Sequence, residues 1–119
     1  LRLTLEADYV TAIEGGGAEA RLMRGYLAAW GDREAYAVSH VGFGLNDKAR
    51  YEALSMYDRQ HLNGTELRAM AGNFLFSTGA NEFAGRYTAG HFDIPVLGTT
   101  ITVDDTEVIS AGVLKDVFG

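Results

Sequence analysis

Two residues in the last third of the chain, His91 and Asp93, have types and a spacing that suit metal chemistry. In a β-strand, residues i and i+2 point to the same face, so an imidazole and a carboxylate at this spacing can converge on one ion. Phe92 and Ile94 are then expected to point the other way, into the core. A His–Asp hydrogen bond at a strand end explains the same pair, and these two positions alone leave both interpretations open.

His40 is the second candidate ligand, and it lies in the mostly apolar run Tyr36–Leu45. The run predicts a buried strand, in which an imidazole needs either a hydrogen-bonding partner, such as a backbone carbonyl, or a metal. With His91 and Asp93, His40 completes the composition of a facial triad of two histidines and one carboxylate. Such a triad binds Fe(II) and leaves positions open for a chelating substrate and O₂. The order of the ligands excludes the 2-oxoglutarate oxygenases, because those enzymes place H-x-D before the second histidine.

Other residues with chemical potential have simpler explanations. His61 lies in the polar loop 58–64, which is typical of a solvated histidine. Ser39 precedes His40, but neighbours on a strand face opposite ways, so no Ser–His dyad is predicted. The glycine run Gly15–Gly17 stands before a helix and could hold an anion there, although a simple turn explains it equally well.

The elements that position these residues follow from apolar periodicity. Alternating leucines predict a hairpin over residues 1–14 with its turn at Ala7-Asp8. After Ala18, apolar residues at helical spacing predict an amphipathic helix. Its apolar face is Leu22, Met23, Tyr26, Leu27 and Trp30. Further strands are predicted over 36–45, 73–78, 91–96, 99–103 and 107–113, short helices over 48–57 and 65–68, and a glycine-rich loop over 79–90. This pattern predicts an α+β fold with two or three helices and a curled, mainly antiparallel sheet, for which barrel-like closure is one arrangement.

Composition excludes several classes of protein. The 119 residues fit one domain, and 47% apolar with 22% charged residues is typical of a globular chain. A net charge of −6 disfavours nucleic acid and anionic lipid, so we expect neither as a partner. Zero Cys excludes disulfides, zinc–thiolate sites and a cysteine nucleophile, and it suits a cytoplasmic location. The sequence opens at Leu1, already within a predicted strand, and we expect it to be the C-terminal domain of a longer protein.

Three segments of the chain resemble one enzyme family, the 2,5-dihydroxypyridine 5,6-dioxygenases. Val38–Leu45 (VSHVGFGL) is similar to the family's SHIGWGL segment, Gly72–Gly79 (GNFLFSTG) to GNFLFSTG, and His91–Pro95 (HFDIP) to HLDIP. The triplet Tyr57–Arg59 and the tail 101–113 are also similar, in the same order and at almost the same spacing. The resemblance therefore covers nearly the whole chain.

The resemblance implies a function and a site. Enzymes of this family use mononuclear non-haem Fe(II) and O₂ to open a dihydroxylated pyridine ring, giving N-formylmaleamic acid in nicotinic acid and nicotine degradation. It implies that His40, His91 and Asp93 are the iron ligands and that Ser77 lies beside the hydroxypyridine substrate, hydrogen-bonding a ring oxygen. It also implies a C-terminal metal-binding domain, a missing N-terminal domain that adds substrate contacts, and a homo-oligomeric parent enzyme.

Departures from the family pattern leave alternatives open. Phe43 stands where the family usually has Trp, and the loop 81–90 is shorter than in the family. Because this loop is expected to lie near the site, we expect the enzyme to tolerate different substituents on the substrate ring. Thermophilic-type metalloaminopeptidases of the same superfamily share a C-terminal H-x-D but hold two metals with additional Glu ligands, for which Glu14 is the plausible candidate here. A domain with only a binding or assembly role is a third possibility. Without the resemblance, Ser77 would be interpreted as a strand-end hydroxyl with a structural role.

Overall fold

The fold was established from a computed structural model that describes residues 1–62 and 64–116; Asn63, in the polar loop predicted over 58–64, lies outside them. The strands and helices are β1 (Arg2–Glu6), β2 (Tyr9–Glu14), α1 (Ala18–Ala29), β3 (Val38–Phe43), α2 (Ala53–Met56), α3 (Thr65–Ala69), β4 (Phe74–Asn81), β5 (Arg86–Val96), β6 (Ile101–Val103), β7 (Thr106–Ser110) and β8 (Val113–Leu114). Single 3₁₀ turns span Arg33–Tyr36, Arg59–His61 and Glu82–Ala84. None of the described helices has the length and apolarity needed to cross a membrane.

The strands form three small sheets with the orders β1-β2, β3-β4-β5 and β6-β7-β8. The α+β class and the antiparallel pairing predicted from the sequence are confirmed, and within the described ranges no sheet closes into a barrel. The chain divides into two compact units, one made of Leu1–Val41 and Phe76–Asp93, the other of residues 42–75 and the chain from Ile94 onward. His40, Ser77, His91 and Asp93 all lie in the first unit.

The first unit opens with the predicted hairpin. β1 and β2 pair in antiparallel register, with Arg2 opposite Glu14 and Glu6 opposite Tyr9. Both turn residues have positive φ angles, 47° at Ala7 and 68° at Asp8, as a two-residue turn between twisted strands requires. The alternation of apolar residues therefore located this hairpin and its turn correctly.

Helix α1 packs through a narrower face than its apolar residues predict. The buried positions are Ala20, Met23 and Leu27, which follow one another at i, i+3 and i+7. Leu22 belongs to the predicted face but is exposed, because it lies more than a third of a turn, about 130°, away from the centre of that line. Its inclusion in the core was wrong, whereas core packing of Met23 and Leu27 is confirmed.

Strand β3 is shorter and more exposed than the apolar run 36–45 predicts. Tyr36 belongs to a 3₁₀ turn that Asp32 caps by accepting a hydrogen bond from the Glu34 amide at 2.9 Å. The prediction that His40 is buried was wrong, since its side chain is 44% exposed and Val41 is also exposed. The physical reason is that β3 is an outer strand of its sheet, where apolar composition does not ensure burial.

The predicted glycine-rich loop 79–90 is instead a hairpin of β4 and β5. The loop prediction was wrong because its glycines allow two backbones to approach closely. Gly79 has a φ of +111°, and a Cβ placed there would lie 2.0 Å from the carbonyl oxygen of Gly90. The connection is the short turn Glu82–Ala84, whose amide at Ala84 donates to the Asn81 side chain at 3.2 Å.

The second unit holds short elements. Helix α2 has four residues, far fewer than predicted over 48–57, and α3 matches the predicted helical turn at 65–68. β6, β7 and β8 pair in order, with Ile101 opposite Ile109 and Ile109 opposite Leu114. The strand predicted over 107–113 is interrupted, since Ala111 and Gly112 both have positive φ and turn the chain.

Candidate metal centre

Three candidate ligands from two strands come together on one side of the first unit. His40 lies on β3, and His91 and Asp93 lie on β5. The Asp93 Oδ1 atom is 3.0 Å from Nε2 of His91 and 3.7 Å from Nε2 of His40. One donor atom from each residue lies within 4.8 Å of the other two. The cluster therefore has two imidazole nitrogens converging on one carboxylate oxygen.

The burial of this cluster differs between its atoms. The His91 and Asp93 side chains are 43% and 32% exposed, so a small molecule can approach. Oδ1 of Asp93, however, is shielded from solvent between the imidazoles. A carboxylate oxygen shielded in this way beside two ring nitrogens is suited to sharing a cation with them.

The donor set fits a divalent transition metal. Imidazole nitrogen and carboxylate oxygen bind such ions at about 2.0–2.2 Å, which puts neighbouring ligands of an octahedral ion about 3.0 Å apart. The His91–Asp93 separation is 3.0 Å, the His40–Asp93 separation is 3.7 Å, and all three donors lie within 4.8 Å of one another. Within residues 1–62 and 64–116, Glu14 does not join the cluster, and the exposed His61 lies elsewhere, in the second unit. The donors described thus suit one ion.

Ser77, the candidate substrate contact, lies behind His40. Its side chain is fully buried on β4, and its hydroxyl donates a hydrogen bond to the backbone carbonyl of His40 at 3.3 Å. The hydroxyl therefore supports the backbone of a candidate ligand. Its oxygen keeps acceptor capacity, because a serine hydroxyl has one proton and two lone pairs.

Two further side chains hold the backbone next to His40, and the sequence patterns did not identify them. The Asn81 amide donates to the Ser39 carbonyl at 2.8 Å, and Arg86 Nη1 donates to the Val38 carbonyl at 3.0 Å. Arg86 also pairs with Asp8 at 2.9 Å, and the hydrogen bond that it donates to that carboxylate raises the pKa of the guanidinium. Three consecutive carbonyls of β3 are therefore fixed by side chains from β4 and β5.

Helix α1 holds the strand that carries His91. The Tyr26 hydroxyl donates to the His91 carbonyl at 2.7 Å, and the Tyr26 ring lies 4.8 Å from the ring of Phe92. A Cβ at Gly90 would lie 2.9 Å from the Ala35 methyl group and would also meet Trp30, so this glycine permits the close approach. Phe92 thus faces the helix, opposite to the two candidate ligands.

Ser39 contacts the ring of His40 even though strand alternation predicts that the two side chains face opposite ways. Its hydroxyl lies 3.4 Å from Nδ1 of His40, although the two residues are neighbours on a strand. The contact is possible because Nδ1 is close to the backbone and can approach an adjacent side chain. The hydroxyl donates to the Ala80 carbonyl at 2.6 Å, so its proton is already engaged. Ser39 consequently has the geometry of a support for His40, not of a nucleophile activated by it.

A cavity of about 500 Å³ adjoins His40, within the usual size range of small-molecule sites. It is lined by Ser39, His40, Ala80, Asn81, Glu82 and Phe83. Phe83 stands fully exposed on the turn between β4 and β5 and gives the cavity an aromatic rim.

Comparisons with known proteins identify the family of this chain. A family model described as 2,5-dihydroxypyridine 5,6-dioxygenase matches residues 1–116. The 2,5-dihydroxypyridine 5,6-dioxygenase of Pseudomonas putida is 42% identical over 115 residues, an alignment that covers 93% of this chain and 33% of that protein. The solved structure of the 2,5-dihydroxypyridine dioxygenase from Pseudomonas putida KT2440 superposes with a TM-score of 0.85 at 40% identity, covering 96% of this chain and 33% of that one.

The chain spans about a third of the length of these relatives. The resemblance seen in the three sequence segments is confirmed, because the family match runs through nearly all of the chain. The chain belongs to the 2,5-dihydroxypyridine 5,6-dioxygenase family.

Proposed function

We propose that this chain is the metal-binding part of a ring-cleaving dioxygenase that opens 2,5-dihydroxypyridine, or a related hydroxylated N-heteroaromatic, with O₂. The ligands of its mononuclear non-haem Fe(II) are His40, His91 and Asp93. The observation that carries this proposal is the convergence of two imidazoles on one carboxylate oxygen, at 3.0 and 3.7 Å, in a chain of this family.

The charge of the ligand set favours an anionic, chelating substrate. Two neutral imidazoles and one carboxylate leave about +1 on a divalent ion, which attracts a deprotonated hydroxypyridine. When bound, Fe(II) supplies the redox and Lewis-acid chemistry toward O₂ and the hydroxylated ring. Both oxygen atoms of O₂ enter the ring-opened product, so the reaction needs no external reductant.

The protein's own groups place the ring. The cavity beside His40 is large enough for a single aromatic ring, and Phe83 offers it an apolar face. Ser77 orients a ring oxygen. Because its proton is directed to the His40 carbonyl, its oxygen is set to accept a hydrogen bond from a protonated ring hydroxyl. This arrangement requires that substrate binding give access to a hydroxyl that is now buried.

The chain acts within a larger protein. Since it spans about a third of its relatives, we assign it to the C-terminal metal-binding domain of a two-domain, homo-oligomeric enzyme. The N-terminal domain completes the substrate pocket in this scheme. We therefore expect that this chain can bind metal without turning over substrate, while the full-length enzyme is active.

Anaerobic loading with Fe(II) tests the proposal. Bound iron is measured per chain, 2,5-dihydroxypyridine and O₂ are added, and the loss of ring absorbance and the uptake of O₂ are followed beside the full-length enzyme. We expect one iron per chain and substrate-dependent O₂ uptake in the full-length enzyme. His40→Ala and Asp93→Ala should abolish iron binding, whereas His61→Ala, which removes an exposed histidine outside the cluster, should keep it.

Three results would overturn parts of the proposal. Retention of one iron by both ligand variants would refute the ligand assignment. Two metals per chain, with hydrolysis of amino-acid amides, would move the function to a metalloaminopeptidase. A binding or assembly role would be indicated if the chain binds no iron but associates with a partner, and if the full-length protein shows no ring-opening activity.

A further inference from the structure

We infer that Ser39 is a positioning residue that selects the tautomer of His40 and so directs the Nε2 lone pair of this histidine toward the metal. The inference rests on the proposed function, because it concerns the same metal site. It adds a residue that lies outside the ligand set and acts only through His40.

The proton of the Ser39 hydroxyl determines what His40 can do. That hydroxyl donates its single proton to the Ala80 carbonyl at 2.6 Å, a short and well-defined hydrogen bond. Toward Nδ1 of His40, 3.4 Å away, the same oxygen can then act only as an acceptor. A neutral His40 with its proton on Nδ1 satisfies this acceptor. Its lone pair is consequently on Nε2, the nitrogen that faces Asp93 at 3.7 Å.

The backbone around Ser39 fixes this orientation. Nδ2 of Asn81 donates to the Ser39 backbone carbonyl at 2.8 Å, while Oδ1 of the same side chain accepts from the Ala84 backbone amide at 3.2 Å. Both contacts come from the β4 end that also provides the Ala80 carbonyl. The serine is thus held at its backbone carbonyl and at its hydroxyl by two adjacent residues at the end of β4, and these contacts limit the rotation of the hydroxyl away from His40.

Loss of this contact has a defined consequence. Without the acceptor at Nδ1, the tautomer with its proton on Nε2 becomes accessible, and that proton occupies the metal-binding lone pair. Hydrogen bonds to the non-coordinating nitrogen of a ligand histidine typically change metal affinity by about 10- to 100-fold. Because the contact is 3.4 Å long, we expect Ser39→Ala to weaken binding by about tenfold, the lower end of that range.

The test combines a tautomer measurement with a metal titration on the full chain. Nitrogen-15 NMR of the imidazoles in the metal-free protein, at a pH above about 8 where an ordinary histidine is neutral, reports which nitrogen of His40 carries the proton. Titration with Co(II) alone, followed by visible absorption, gives the affinity. Wild type, Ser39→Ala and Ser39→Thr are compared, with Ser55→Ala as control for loss of a serine hydroxyl in the second unit.

In wild type we expect the proton on Nδ1 of His40. In Ser39→Ala we expect a shift toward the Nε2-protonated form and about tenfold weaker Co(II) binding. Ser39→Thr, which restores the hydroxyl, should recover the wild-type tautomer and the wild-type affinity. A proton on Nε2 in the metal-free wild type would overturn the inference even if Ser39→Ala does not fold. Equal tautomers and equal affinity in wild type and Ser39→Ala would overturn it while leaving the proposed function intact. Failure of wild type to bind Co(II) would instead refute the metal site itself.

Discussion

Replacing Gly79 by Ala should move β4 away from β5, the strand that carries His91 and Asp93. A Cβ at this position would lie 2.0 Å from the Gly90 carbonyl oxygen and 2.9 Å from Cα of His91. Contacts of a Cβ closer than about 3.0 Å are not tolerated, so the strands must move apart by about 1 Å. Because Gly90 precedes His91, the movement changes the position of a candidate ligand.

Two costs add in this variant. The φ of +111° is unfavourable for any L-residue and costs about 1–2 kcal/mol, and forced displacement of packed backbone costs about 1–3 kcal/mol more. The expected loss is therefore about 2–5 kcal/mol, a large share of the about 5–15 kcal/mol that stabilises a typical domain. We also expect a clear loss of Co(II) affinity in the fraction that remains folded.

Gly85→Ala is the matched control, because it lies in the same hairpin. Its φ is +70°, yet a Cβ there meets no atom within 4 Å, so it has the backbone cost of about 1–2 kcal/mol without the collision. Urea unfolding gives the free energies, and Co(II) titration gives the affinities. Equal destabilisation by the two variants, with wild-type metal affinity in both, would refute the close-approach explanation.

Two further changes test the supports of the site. Tyr26→Phe removes the hydrogen bond to the His91 carbonyl, so it should lower the free energy of unfolding in urea by about 1 kcal/mol and weaken Co(II) binding. Tyr87→Phe, the control at an exposed tyrosine, should change neither quantity. Equal effects of the two variants would refute the role of Tyr26 in holding the His91 strand. At Asp32, the hydrogen bond from the Thr88 hydroxyl is the largest of the interactions that lower the pKa of the carboxyl below its ordinary value of 3.8. The carboxylate therefore stabilises the fold above the ordinary pKa, and this contribution is lost as the pH falls through the lowered one. Urea midpoints measured from pH 7 down to about pH 2 should fall less steeply below about pH 4 in Asp32→Asn, and identical slopes would contradict this.

Local periodicity predicted the parts of the site that depend on local geometry. The two-residue repeat of a strand places His91 and Asp93 on one face and Phe92 on the other, and the structure has this arrangement. The hairpin turn at Ala7-Asp8 follows in the same way from alternating side chains. These features require only the residues that form them.

The incorrect predictions concern residues whose environment comes from distant segments. The apolar run around His40 gave no sign that β3 is an outer strand with an exposed imidazole. Gly79 and Gly90 look like loop residues, because the backbone contact that requires them joins positions eleven apart in the chain. Likewise, the side chains of Asn81 and Arg86 act on carbonyls more than forty positions away, and no sequence spacing indicates this.

Both histidine strands are held through backbone carbonyls, and this separates metal binding from folding. Ser77 donates to the His40 carbonyl and Tyr26 to the His91 carbonyl, while the two imidazoles themselves remain about two-fifths exposed. Replacing an imidazole by a methyl group leaves these carbonyl contacts in place, so the ligand variants should fold with little loss of stability. Replacing Ser77 by Ala removes this hydrogen bond to the His40 carbonyl, at a cost of about 1 kcal/mol. Loss of metal without loss of stability is therefore the signature of a ligand, and loss of both is the signature of a support.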